Sequence, residues 1–379
     1  MTDHANPNPQ DDPAGTTGPA PQPGIMQIDL YTAGESNIPG RGDVLKLSSN
    51  ENPVGCSPGA SAAYAEAARQ LHRYPPTDHA PLRAAIGEVH GLDPDRIICG
   101  VGSDEVLQFV VQAYAGPGDQ VICTRHGFSM YPILAHMVGA TPVVVEEAER
   151  RVDVEAILAA VTPQTRIVFI ANPANPTGTM LGEQALDRLA AGLPDGCLLV
   201  HDGAYAEYAD GFDGGAGLVD RYPNVIMTRT FSKIHGLGGL RIGWGYAARG
   251  IIDVLNRIRQ PFNLSVAQLA AAEAAIRDTG FATSCAAENA RLRRWMRNAL
   301  IQAGIDCDES HTNFVLARFA DADTAAAADM ALRADGILTR RVTGYALPEA
   351  LRITVGTEDD CRRVIGVLTS FMHSRRAAS

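Results

Sequence analysis

Residues 166–178 read Arg-Ile-Val-Phe-Ile-Ala-Asn-Pro-Ala-Asn-Pro-Thr-Gly. A short apolar, β-branched run that ends in turn residues reads as a strand buried on both faces. The two Asn-Pro pairs then set a rigid turn, because the residue before a proline is pushed out of the helical region. Such a turn aims an asparagine amide into the space beyond the strand end. A plain turn would also use Asn-Pro and Thr-Gly; the doubled Asn-Pro sets this one apart.

Working outward, similar short runs recur at 96–100, 120–124, 142–145, 197–201, 225–230 and 241–246. Amphipathic helices fit between them. One begins at Ser103–Asp104 and carries Val106, Leu107, Val110, Val111 and Tyr114 on one face, and another fits 183–191. Strand–helix alternation predicts an α/β fold: a mostly parallel sheet with helices on both faces and ligands at the strands' carboxyl ends. After about Asn263 the texture changes. Helices are expected to about Arg277 and over 285–303, strands at 313–318, 337–341 and 351–355, and a closing helix near 359–372. The predicted organisation is a Pro-rich tail over 1–23, an N-terminal arm over 24–61, a large domain over 62–262 and a smaller α+β domain over 263–379.

Composition narrows the function. The chain has 379 residues, 46% hydrophobic and 20% charged, with a net charge of −11. Its acidity argues against a general nucleic-acid or anionic-membrane binder. No apolar run approaches the ~18 residues of a membrane span. The seven cysteines are scattered without a Cys-x-x-Cys, which argues against a disulfide framework or a zinc site. No secretory signal stands at the start. A cytoplasmic enzyme without a metal is expected.

Four pieces carry chemistry. Thr228–Lys233 closes a strand and is followed by a glycine-rich turn ending at Arg241. Thr230, Ser232 and Arg241 could surround a phosphate, leaving Lys233 free for Schiff-base chemistry. Taken alone, Lys233 reads better as a surface lysine, since lysines near turns are common. Asp202 ends an apolar run, and a carboxylate there needs a positive or proton-donating partner; a helix N-cap is the even alternative. Tyr205 lies three residues on. Gly100-Val101-Gly102-Ser103-Asp104 joins a strand to a helix and suits one phosphate at the helix N-terminus. Its lack of a third glycine weakens a dinucleotide reading. Together with the aromatic-bearing loop His126-Gly127-Phe128, these pieces equip a site for pyridoxal 5′-phosphate (PLP): a phosphate cup, a lysine, an acid for the ring nitrogen and a ring to stack.

The sequence resembles the fold-type I PLP-dependent aminotransferases, and within them the branch that acts on histidinol phosphate. The motifs are Asn50-Glu51-Asn52-Pro53, Tyr74-Pro75, Gly102–Glu105, Asn172–Gly178, Thr230–Arg241, Asn313-Phe314, Gly336-Ile337 with Arg340, and Leu351–Gly356. The resemblance covers roughly residues 25–370. It implies a fold-type I architecture and transamination between L-histidinol phosphate and 2-oxoglutarate. It implies Lys233, Asp202 and Tyr205 as catalytic residues. Ser103, Asp104, Phe128, Asn175, Thr230, Ser232 and Arg241 would hold the cofactor, with Tyr74 reaching in from the other subunit of a homodimer. Tyr31, Asn50, Asn175, Arg340 and Arg352 would meet the substrate. The family often has Asp-Glu-Ala-Tyr where this chain has Asp202-Gly203-Ala204-Tyr205, and often a tyrosine where it has Phe128. An aromatic aminotransferase and a PLP decarboxylase of a phosphorylated amino acid share these cofactor motifs and stay open as alternatives.

Overall fold

The computed structural model describes residues 19–30 and 34–378. Its strands are β1 (Leu45–Lys46), β2 (Ile97–Gly100), β3 (Gln120–Thr124), β4 (Thr141–Val145), β5 (Thr165–Ala171), β6 (Leu198–Asp202), β7 (Val225–Thr230), β8 (Gly243–Ala247), β9 (Asp306–Cys307), β10 (Phe314–Arg318), β11 (Ile337–Leu338), β12 (Arg340–Val342) and β13 (Leu347–Thr354). Seven of them form one sheet in the order β2-β8-β7-β6-β5-β3-β4. All its pairs are parallel except those made by β8, which is antiparallel to both neighbours. The stretch quoted first is a central strand, with every residue of β5 buried except Arg166. Its two faces are covered by separate apolar clusters, one around Ile86, Leu199 and Trp244, the other around Leu107, Val110 and Phe169.

A second sheet runs β12-β13-β10-β9 and packs its own core, including Met296, Val315 and Leu332. The expected strand 337–341 is broken at Thr339. Its first part pairs with β1, which ties the N-terminal arm down, and its second part turns to β13. The strand expected over 241–246 starts at Gly243 instead, because Arg241 takes a left-handed backbone at φ 53°. The helix expected over 285–303 begins earlier, at Thr279, where Asp278 caps it by accepting from the Phe281 amide. Among the described residues no helix is long and apolar enough to cross a membrane.

Candidate active site

The carboxyl ends of β5, β6 and β7 open into a cavity of about 250 Å³. Lys233 enters it from the loop after β7. Phe231 and Ile234 anchor that loop in the core, and Gly236 lets it pass against Gly55, where a Cβ would sit 1.9 Å from the Gly55 carbonyl oxygen. Lys233 Nζ donates to the Ser49 carbonyl at 3.2 Å and lies 5.7 Å from the centre of the Tyr205 ring. Burial, helped by the nearby Arg352 charge, lowers its pKa to about 8.

Asp202 is the last residue of β6 and is buried. Its Oδ2 accepts from the Tyr131 hydroxyl at 2.9 Å, and its Oδ1 from the Thr228 hydroxyl at 3.2 Å and the Ala204 amide at 3.3 Å. All three donors are neutral. Burial raises its pKa to about 6, against the lowering effect of the Tyr131 bond.

At the phosphate end, Gly102 (φ 77°) turns the chain into the helix Gly102–Tyr114. Glu105 secures this turn by accepting from the Val101 amide and the Asn263 side chain, both at 2.7 Å. Arg241 bonds Ser232 Oγ at 3.1 Å and Asp104 at 3.0 Å. A Cβ on Gly102 would come 2.5 Å from the Arg241 guanidinium, and one on Gly243 2.2 Å from the Ser103 amide nitrogen. The two glycines hold open a cradle of amide and guanidinium donors.

At the other end, Arg352 on β13 donates to Asn175 Oδ1 at 2.5 Å and to the Ser48 carbonyl at 2.9 Å. Asn50 donates to the Tyr205 hydroxyl at 2.8 Å. Arg340 on β12 is the direct cross-strand partner of Arg352, so both side chains leave the same face of the sheet, and both line the cavity. Arg341, the next residue along, is exposed.

The cavity thus gathers Ser103, Asp104, Phe128, Asn175, Asp202, Tyr205, Thr230, Ser232, Lys233, Arg241, Asn50, Arg340 and Arg352. Of the other two expected residues, one does not line it and one cannot be placed there. Tyr31 lies outside the described residues. Tyr74 is 82% exposed and stacks on Phe262 with ring centres 4.5 Å apart. Three contributors escaped the sequence reading. Thr228 was legible by alternation, two residues before Thr230 on the same face of β7. Tyr131 lay three residues past Phe128 but looked apolar among its neighbours. Tyr345 had no signal; it reaches the cavity because its carbonyl meets His126 Nδ1 at 2.7 Å. At the departure Gly203, a Cβ would lie 3.3 Å from the Arg229 side chain and 3.1 Å from the Thr228 carbonyl, so Arg229 fills the room a larger residue needs.

A family model described as "Aminotransferase class I and II" matches residues 42–368, and the chain belongs to that family. Its architecture is that of the fold-type I enzymes. Among the most similar relatives is the histidinol-phosphate aminotransferase of Ruegeria pomeroyi, 64% identical and covering 94% of this chain and 98% of its own. That of Dinoroseobacter shibae is 61% identical over 93% and 97%. The histidinol-phosphate aminotransferase of Sinorhizobium meliloti, solved in complex with pyridoxal 5′-phosphate, superposes with a TM-score of 0.82 at 30% identity, covering 87% of this chain and 91% of that one.

The residues fit that cofactor. Asp202 is a buried carboxylate with neutral donors only, and a protonated ring nitrogen supplies the missing positive partner. The glycine cradle suits a phosphate, and Lys233 carries an amine whose pKa is already lowered.

Proposed function

We propose that this aminotransferase moves the amino group of L-histidinol phosphate to 2-oxoglutarate, giving imidazole acetol phosphate and glutamate, in histidine biosynthesis. It works with pyridoxal 5′-phosphate, as a homodimer, in the cytoplasm. The observation that carries the substrate choice is the pair Arg340 and Arg352. Like charges directly opposite on two strands repel, and an anion between them reverses the sign of that interaction. A phosphate, with more charge and more oxygens than a carboxylate, gains most from two cations. The relatives' names support the same choice. Seven free cysteines, six of them buried, support a reducing compartment.

Bound in the cavity, the cofactor supplies a carbonyl that condenses with amines and a ring that draws electrons from the substrate's α-carbon. Asp202 holds a proton on the ring nitrogen and keeps the ring electron-poor. Lys233 moves a proton at the α-carbon through Nζ, which its lowered pKa keeps partly neutral near pH 8. Asn50 orients the Tyr205 hydroxyl, and Arg352 orients Asn175, so both would offer fixed polar groups to the cofactor's ring oxygen. Phe128 supplies a ring face for stacking. Arg241, Ser232, Thr230 and the amides at 103 and 104 hold the phosphate.

The test is a pair of single-turnover half-reactions followed by cofactor absorbance. Arg352→Ala is expected to cripple both. Arg340→Ala is expected to slow the histidinol phosphate half-reaction more than the glutamate one, by ~1.5–3 kcal/mol for a lost charged hydrogen bond. Equal losses, or wild-type turnover of phenylalanine faster than histidinol phosphate, would move the assignment to an aromatic aminotransferase.

A further inference from the structure

A second cavity, of about 320 Å³, opens between the helix Thr279–Ala303 and the segment 309–311. Arg293, Arg294 and Arg297 line it from the helix, with Ser310 and His311 also in its wall. Arg293 is only 8% exposed, yet no carboxylate among the described residues lies within ion-pair distance of it. Its Nη1 donates to the Thr312 carbonyl at 2.5 Å and more weakly to the Tyr208 carbonyl at 3.4 Å. Its Nε and Nη2 make no hydrogen bond among the described residues. Burial lowers its pKa to about 10, against the raising effect of the more distant Asp210 and Glu309 charges.

Arg297 gives Nε to the Cys307 carbonyl and keeps its terminal nitrogens uncommitted, and Arg294 makes no internal bond among the described residues. Asp210 and Glu309 also line the cavity, but both are exposed and neither comes within 4 Å of an arginine among the described residues. Water already solvates those two carboxylates. They act on the buried Arg293 charge only at a distance, and neither pairs with it directly.

We propose that this cavity binds a small phosphate-bearing anion and that its occupancy is felt at the active site. Three guanidinium groups offer forked donors that match phosphoryl oxygens, and together they suit a dianion better than a single carboxylate. The coupling runs through the backbone. Tyr208 closes the short turn that begins just after Tyr205. Thr312 precedes Asn313, whose side chain donates to the Asn50 carbonyl at 3.0 Å, and Asn50 in turn donates to Tyr205. The His311 amide donates to the Gly178 carbonyl at 2.8 Å, at the end of the turn that carries Asn175. An anion that fixes Arg293 therefore stiffens the two segments Arg293 holds; one carries Tyr205, and the other holds Asn50 through Asn313.

The test is calorimetric titration of the holoenzyme with inorganic phosphate at constant ionic strength. Two binding events per chain are expected, one at Arg340 and Arg352 and one here. Arg352→Ala should retain the second event. Arg294→Gln/Arg297→Gln should retain the first and weaken the second at least tenfold. An unchanged isotherm in that double variant overturns the site, as does loss of all phosphate binding in Arg352→Ala. Should the double variant melt lower than wild type, Arg294→Gln alone, at a position without internal bonds, must still show the weakening. In Arg352→Ala holoenzyme, phosphate is expected to slow amide exchange over 206–208 and 311–313. Binding with unchanged exchange there overturns the coupling.

Discussion

Asp202 and Lys233 are shifted by one cause in opposite directions, since burial disfavours whichever form is charged. For Asp202 the folded protein holds its proton up to about pH 6, whereas the unfolded chain releases it near 3.8. Between those values the folded state binds more protons, so stability falls as pH rises through the window. In cofactor-free protein, Asp202→Asn is expected to be more stable than wild type at pH 7.5, by ~1–3 kcal/mol, with the difference fading near pH 4. Thermal melts at the two pH values check this, and equal melts at both would remove burial as the cause. For Lys233 the amine is neutral above about pH 8 rather than 10.5. Covalent capture of pyridoxal phosphate by the stripped protein should therefore speed up with a midpoint near 8, read by absorbance. A midpoint near 10 would sink the reading. The residues that titrate here were legible only together, because a lone lysine near a turn or aspartate at a strand end has a common structural use, whereas both at strand ends beside a phosphate cup do not. Tyr131, which donates to Asp202, was not, because a buried tyrosine inside an apolar helix looks like packing until its hydroxyl is seen to have a partner.

At the scale of elements, β7 divides its labour by alternation. Thr228 and Thr230 face the cofactor side, while Arg229 points to the opposite face, where it donates to Glu207 at 3.0 and 3.1 Å. Both side chains are nearly buried, at 5% and 13% exposure. Glu207 lies two residues past Tyr205, so the pair ties the Tyr205 turn to the strand that leads into Lys233. Breaking a buried pair by removing one partner leaves an uncompensated charge. Arg229→Met is expected to destabilise the protein by ~3–5 kcal/mol, and Arg229→Met/Glu207→Met by clearly less, both measured by urea unfolding. A double variant no better than the single would show that Arg229 acts through packing instead. Strand alternation makes the facing of Thr228 and Thr230 readable from sequence. The partner of Arg229 is not, because Glu207 reaches it through a turn, and the room for the Arg229 side chain comes from Gly203 and Gly214, which lie directly against it. Likewise the break at Thr339 was hidden, since nothing in Ile-Leu-Thr-Arg-Arg shows that the run changes sheets.

For the whole molecule, the mostly parallel sheet follows from strand–helix alternation, but its strand order and any surface between copies leave no periodic trace in sequence. Tyr74 is the residue that bears on it. Its ring stays exposed although it is stacked on Phe262, itself 46% exposed. An aromatic pair left in water is well placed to be covered by a partner. We propose that the cover is a second copy of this chain, with the Tyr74 hydroxyl as one more donor to the neighbour's phosphate cradle. Tyr74→Phe keeps the ring and loses only that donor, so assembly should survive while cofactor retention drops severalfold in dialysis. Phe262→Asp places a charge inside the covered face, where its desolvation is costly, and should shift the protein toward monomer. Light scattering coupled to gel filtration reads the assembly, and residual absorbance of bound cofactor reads retention. A fully active monomer, or a Phe262→Asp variant with unchanged mass, would show that the exposed pair does not meet a second copy.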